Sequence, residues 1–209
     1  MASSRRAGRS SPQENLERAT ALAFEAVARQ SSEQLVWLGA ERSPGAWRLP
    51  VCNEIFDVEL TARRVTGPGG QEVGPHWRIL ALHYLAVASR PEHLPPTMTF
   101  ADLSTARSYA DVYRRRVLAR LCATAGRSAN QLQAAATAIG GRAAAGGDVG
   151  FDFQMFPRVG MRLIWHAGDE EFPPSATLLL PGNIESYFCS EDIVVLSERL
   201  VSRLDGRPF

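Results

Sequence analysis

Met161, Leu163 and Trp165 alternate with Arg162, Ile164 and His166, and this period of two constrains the chain more than any other feature. Successive side chains on a strand point to opposite faces, so such a run is a strand with one face buried. A second apolar run, Phe151–Pro157, precedes it, and the two meet at Pro157–Gly160. Ala176–Leu180 reads as a third strand, closed by a Pro181-Gly182 turn. Gaps this short favour an antiparallel meander over parallel crossovers. Between the second and third strands stand Asp169, Glu170 and Glu171, flanked by Trp165-His166 and Phe172-Pro173-Pro174. A merely hydrophilic loop seldom carries that much apolar weight. Trp165 and Phe172 are therefore expected to be buried, anchoring both ends of the acidic turn.

The remaining segments read mostly as helices. Ser11-Pro12-Gln13-Glu14 is a helix start, with Ser11 as cap and Pro12 in the first turn, and Leu16, Ala19, Ala23 and Val27 follow at helical spacing. A short helix from Glu33 is stopped by Gly39. Trp47–Val51 and Glu54–Leu60 read as strands joined at Cys52-Asn53, with a third near Val65. His76–Ser89 is apolar nearly all round, which marks a buried helix, and Pro91, Pro95 and Pro96 predict an extended linker after it. Tyr109–Ala125 reads as one long amphipathic helix with Tyr109, Tyr113, Val117 and Leu121 on its stripe. Ser128 and Gln131 form a capping box for the next helix, and Gly140–Gly147 reads as a flexible connector. Asn183 is expected to cap a single turn and Ser190 the last helix, whose core face carries Ile193, Leu196, Leu200 and Leu204.

Composition removes several chemistries. None of the 23 basic residues is lysine, so a lysine Schiff base, a Walker A lysine and a lysine nucleophile are excluded. A net charge of +1 without a long basic tract gives no electrostatic case for nucleic acid. No apolar run approaches the 18 or so residues of a membrane span. Met1–Ser11 carries Arg5, Arg6 and Arg9 with no apolar stretch behind them, which predicts a disordered tail rather than a secretory signal. The 3 cysteines, Cys52, Cys122 and Cys189, are far apart and form no CxxC pair. That argues against a disulfide framework and points to a reducing cytoplasm.

Several stretches resemble one family in order and spacing: HWRILALHYLAVAS, TFADL with SYADVYRRRV, GGD, FPRVGMRLIWHAGDEEFPPSATLLL and YFCSEDIVVL. The family is the uncharacterised domain of unknown function 3786, and the resemblance covers roughly residues 46 to 204. It carries no established activity. It does imply association with iron–sulfur and corrinoid (methyl-transfer) proteins, and so a metalloprotein or corrinoid protein partner. This chain departs from relatives that bear a cysteine-rich segment, because three scattered cysteines cannot hold a four-cysteine cluster.

Three groups of residues are candidates for a site. Asp169 and Glu171, with His166 as a third ligand, suit a hard metal ion such as magnesium, calcium or manganese. In a metal-assisted hydrolase the Asp169-Glu170-Glu171 cluster would work with His166. The plain alternative is a polar turn paired with Arg158 or Arg162. His83, on an apolar helix, is either an axial ligand to a haem or corrinoid metal or a hydrogen-bonded core histidine. Arg114, with Arg115 and Arg116, could grip phosphate or a propionate, or pair internally with Asp111. Trp165 and Phe172 complete the candidate ligand contacts, and no nucleophile motif accompanies them.

These observations predict a single α+β domain over residues 12–209, a mainly antiparallel sheet packed by helices. The leading functional expectation is a non-catalytic cytoplasmic binding or accessory protein tied to metal-cofactor or one-carbon metabolism, that tie resting on the resemblance. A metal-assisted hydrolase and a protein–protein interaction module are the alternatives.

Overall fold

In the computed structural model, which describes residues 12–104, 106 and 109–209, the strands fall into two antiparallel sheets rather than one. The first sheet has the order β1-β2-β3-β4: β1 Glu41–Ser43, β2 Ala46–Val51, β3 Glu54–Glu59 and β4 Arg64–Thr66. Its central hairpin turns at Cys52-Asn53, where φ is 47° and 66°. Two left-handed residues in succession match the right-handed twist of the flanking strands, so Leu49 pairs with Phe56 and Val51 with Glu54. The second sheet has the order β5-β9-β8-β7-β6: β5 Pro96–Thr99, β6 Arg142–Ala143, β7 Val149–Phe156, β8 Val159–His166 and β9 Ser175–Pro181. The Cys52 amide donates to the Met155 carbonyl at 3.3 Å, tying the first hairpin to β7.

The meander of β7, β8 and β9 is the one the alternation predicts. Met161, Leu163 and Trp165 are buried while Arg162, Ile164 and His166 turn outward. Two strands of this sheet were not legible. β5 lies among prolines and pairs only with β9, some eighty residues on. β6 sits inside the glycine-rich connector and pairs with Phe151 and Asp152, so that connector is not simply flexible.

The helices are α1 Pro12–Ala28, α2 Ser32–Trp37, α3 Pro75–Leu85, α4 Ala110–Tyr113, α5 Ala119–Ala123, α6 Ala129–Ala138 and α7 Ser190–Leu204. The tail before Pro12 and the Ser11 cap lie outside the described residues. Ser31 caps α2 and Ser128 caps α6, each hydroxyl accepting from the amide three residues on. Cys189, one residue before the expected Ser190, occupies the cap of α7. Asn183 makes no capping bond, its amide donating instead to the Glu92 carbonyl. Gly39 ends α2 at φ 86°, and a Cβ there would run into Pro157 at the β7–β8 turn, so the close approach requires glycine.

Helix α3 is covered on one side by α1 and touches α7; α5 packs on β9 and α6 on β7. The buried side chains form one cluster running from Phe24 and Val27 through both sheets to Leu200 and Leu204. No described helix is long and apolar enough to cross a membrane.

Candidate functional site

The acidic turn follows directly from the burial of Trp165. Trp165 is 2% exposed, and its indole Nε1 donates to the Gly126 carbonyl at 3.0 Å. That satisfies the polar edge which burying an indole would otherwise strand. His166 points to the opposite, exposed face. The chain then turns on Asp169. Its Oδ1 accepts from the amides of Glu171 (2.8 Å) and Phe172 (2.7 Å), and its own amide donates to the Phe172 carbonyl at 2.9 Å. Those two donated amides hold the Asp169 carboxyl below the usual carboxylate range.

Asp169 thus builds the loop. Glu171 meets it through a backbone amide, and Glu170 and Glu171 stand at the exposed surface. Among the described residues no three His, Cys, Asp or Glu side chains are gathered to hold a metal ion. Neither arginine expected to pair with the acids does so. Arg162 forms a two-bond pair with Asp152 on β7, and Arg158 donates to the Trp37 carbonyl and stacks on the Trp37 ring. Phe172 is 65% exposed, against expectation. The Asp169 turn and the two following prolines keep residues 168–173 out of the strands, and most of the ring faces water.

His83 departs from its expected setting too. Helix α3 buries Trp77, Leu80, Leu82 and Tyr84, but His83 lies at its margin with a third of its side chain exposed. Its partner is a carboxylate on another helix. Nδ1 lies 2.8 Å from Oδ2 of Asp192 in the first turn of α7. The Cys189 thiol donates to the same oxygen at 3.3 Å. Partial desolvation pushes that thiol up, and the amides of Asp192 and Glu191 pull it the other way. Cys52, Cys122 and Cys189 are free and lie on the β2–β3 turn, α5 and the α7 cap. That arrangement does not fit an iron–sulfur cluster.

The arginine helix holds the least expected feature. Between α4 and α5 the residues Arg114–Leu118 form a π turn. Such turns are rare and concentrate at functional sites. The three arginines divide. Arg116 crosses to α7 and grips Glu198 with Nε at 2.7 Å and Nη2 at 2.8 Å, with Glu191 at 3.3 Å from Nη1. Arg115 donates to the Asp111 carbonyl. Arg114 pairs with the Asp111 carboxylate at 3.0 Å, both well exposed.

In front of the π turn opens a cleft of about 340 Å³. Its walls are Phe100, Tyr113, Leu118 and Leu178, with Arg114 and Asp111 at the rim. Phe100 and Tyr113 stack face to face, and the Tyr113 hydroxyl donates to Ser197 at 3.1 Å. Phe100 is presented by a single helical turn capped reciprocally by Thr99 and Asp102. On the far wall β5 pairs with β9 only from Leu179 to Pro181, so among the described residues the stretch before Leu179 has no partner strand on that side. Of these residues Arg114 is a candidate from the sequence, whereas Phe100, Leu118 and Leu178 are not. The T-x-x-D spacing of Thr99 and Asp102 was a readable cap; the π turn left no sequence signal.

A sequence model of the family described as Domain of unknown function (DUF3786) matches residues 33–203. No curated protein and no solved structure matches the chain.

Proposed function

The chain belongs to the family described as Domain of unknown function (DUF3786), and we propose that it is a binding or accessory protein whose small-molecule ligand sits between the π turn and the outer edge of β9. One observation supports this above the rest: an apolar-walled cleft of about 340 Å³ lies directly against the π turn. That volume is within the range of ligand pockets, and apolar walls with a few polar groups at the rim are their usual make-up. In such a protein any metal centre implied by the family resemblance belongs to a metalloprotein or corrinoid partner. Three free cysteines suit a reducing compartment such as the cytoplasm.

The test is a fluorine NMR screen of small aromatic fragments on wild type and on Ala101→Trp. Ala101 is exposed at the cleft mouth, so the indole fills the space without disturbing the core. Fragments that bind wild type and are lost in the variant support the reading. Fragments that ignore the variant, or a wild type that binds none, refute it.

A second reading, an interaction module, is favoured by Phe172, held 65% exposed on a turn fixed by Asp169. A partner docking there would be lost with Phe172→Ala while fragment binding in the cleft persisted.

A further inference from the structure

Resting on the cleft reading above, we infer that the ligand is a small carboxylic acid with a flat or branched apolar body, and that Arg114 reads its carboxylate. Among the described residues the Arg114 guanidinium is tied by one bond, Nη2 to Asp111 Oδ1 at 3.0 Å, and its side chain is 71% exposed. A guanidinium presents five donors in a planar fork, so most of that capacity remains available at the rim of the cleft. The Asp111 carboxylate is 82% exposed and three residues away on the same helix. A pair this open to water contributes little, so a ligand carboxylate can take the place of Asp111 at small cost.

The walls fix the rest of the ligand. Leu118 lies four residues beyond Arg114 on the π turn and lines the same cleft, so a molecule held by the guanidinium has its next atoms against an apolar side chain. Behind it stand the Phe100–Tyr113 stack and Leu178, both buried. The head is a carboxylate and not a phosphate. A planar two-oxygen monoanion matches the fork of a single arginine, whereas a phosphate dianion would face the same single cation and feel the repulsion of Asp111 on both its charges. A cationic head directed at Asp111 would have to sit against Arg114.

The experiment measures dissociation constants for phenylacetate, 4-methylpentanoate, phenylacetamide and phenethylamine by NMR titration of wild type, Arg114→Gln and Asp111→Asn. Both substitutions fall on exposed side chains, so folding is retained. The acids are expected to bind wild type about tenfold or more tightly than the amide, as a charge-assisted two-bond contact requires. Arg114→Gln should bring that ratio close to one, and Asp111→Asn should raise acid affinity several-fold by freeing the fork. Equal binding of acid and amide in wild type, or a ratio that survives Arg114→Gln, overturns the acid inference while leaving the cleft as a ligand site. Tighter binding of phenethylamine would assign the head to Asp111 and overturn it too. Absence of binding by all four probes would remove the cleft reading along with it.

Discussion

The ring of Phe100 lies flat on that of Tyr113, with centroids 4.3 Å apart and planes 2° from parallel. One ring comes from the turn after β5, the other from the residue just before the π turn. Their stack joins the edge of the second sheet to the arginine helix. Tyr113 is also fixed from behind, because its hydroxyl donates to Ser197, which in turn donates to the Ile193 carbonyl. Tyr113→Phe should therefore cost about 1 kcal/mol, the usual net worth of one hydrogen bond. Ring stack and fragment binding should be unchanged. Urea denaturation of the variant checks the first expectation and the fluorine screen the second.

Trp165 and Phe172 should behave as opposites. Trp165→Ala empties a fully packed site and strands the Gly126 carbonyl, and a loss of about 3–5 kcal/mol is expected. Phe172→Ala removes a ring that already faces water, so its effect should stay within about 0.5 kcal/mol. Chemical denaturation midpoints of the two variants make the comparison.

Asp152 and Arg162 predict part of the acid limb of stability. The hydrogen bonds from Arg162 hold the Asp152 carboxyl below its ordinary 3.8. A carboxyl depressed in the folded state contributes stability that is fully present above its unfolded value and is lost as pH falls through the folded one. Melting temperature should thus drop below pH 3.8 in wild type, and Asp152→Asn should flatten that drop while lowering the plateau near neutrality. A variant whose acid limb is unchanged would show the pair to be silent.

The cysteines should differ in reactivity by position. Burial pushes the Cys52 thiol up to about 12, and its sulfur rests 3.5 Å from that of Met155. At pH 8 a thiol reagent should reach Cys189 first and Cys122 more slowly, with Cys52 modified only on unfolding. Peptide mapping after timed labelling reads the order directly.

How much was legible depended on the range of the interaction that decides each element. β7, β8 and β9 were readable because an alternating face is written into every second residue. The Cys52-Asn53 turn and the Ser128 cap were readable because a few neighbouring residues determine them. β5 was not, since the prolines that mark it as a linker also suit an edge strand, and its pairing depends on β9. One sheet is expected where two stand because nothing local says that β2 meets β7 through a single turn. At the acidic turn, the apolar flanks predict burial for both aromatics. Trp165 follows from strand alternation, but Phe172 follows from the Asp169 turn, whose backbone bonds orient it to water. The cap of α7 falls one residue earlier than expected, at Cys189, whose thiol donates to the same Asp192 oxygen that His83 meets.

The most direct test of the cleft is methyl NMR of Leu118 and Leu178, which come to it from the π turn and from β9. Titration with phenylacetate should move both methyl groups along one saturable curve, with the acidic turn unaffected, and Ala101→Trp should abolish the shifts. Methyl groups that stay still while resonances elsewhere respond, or shifts that persist in Ala101→Trp, would contradict the assignment of this cleft as the binding site.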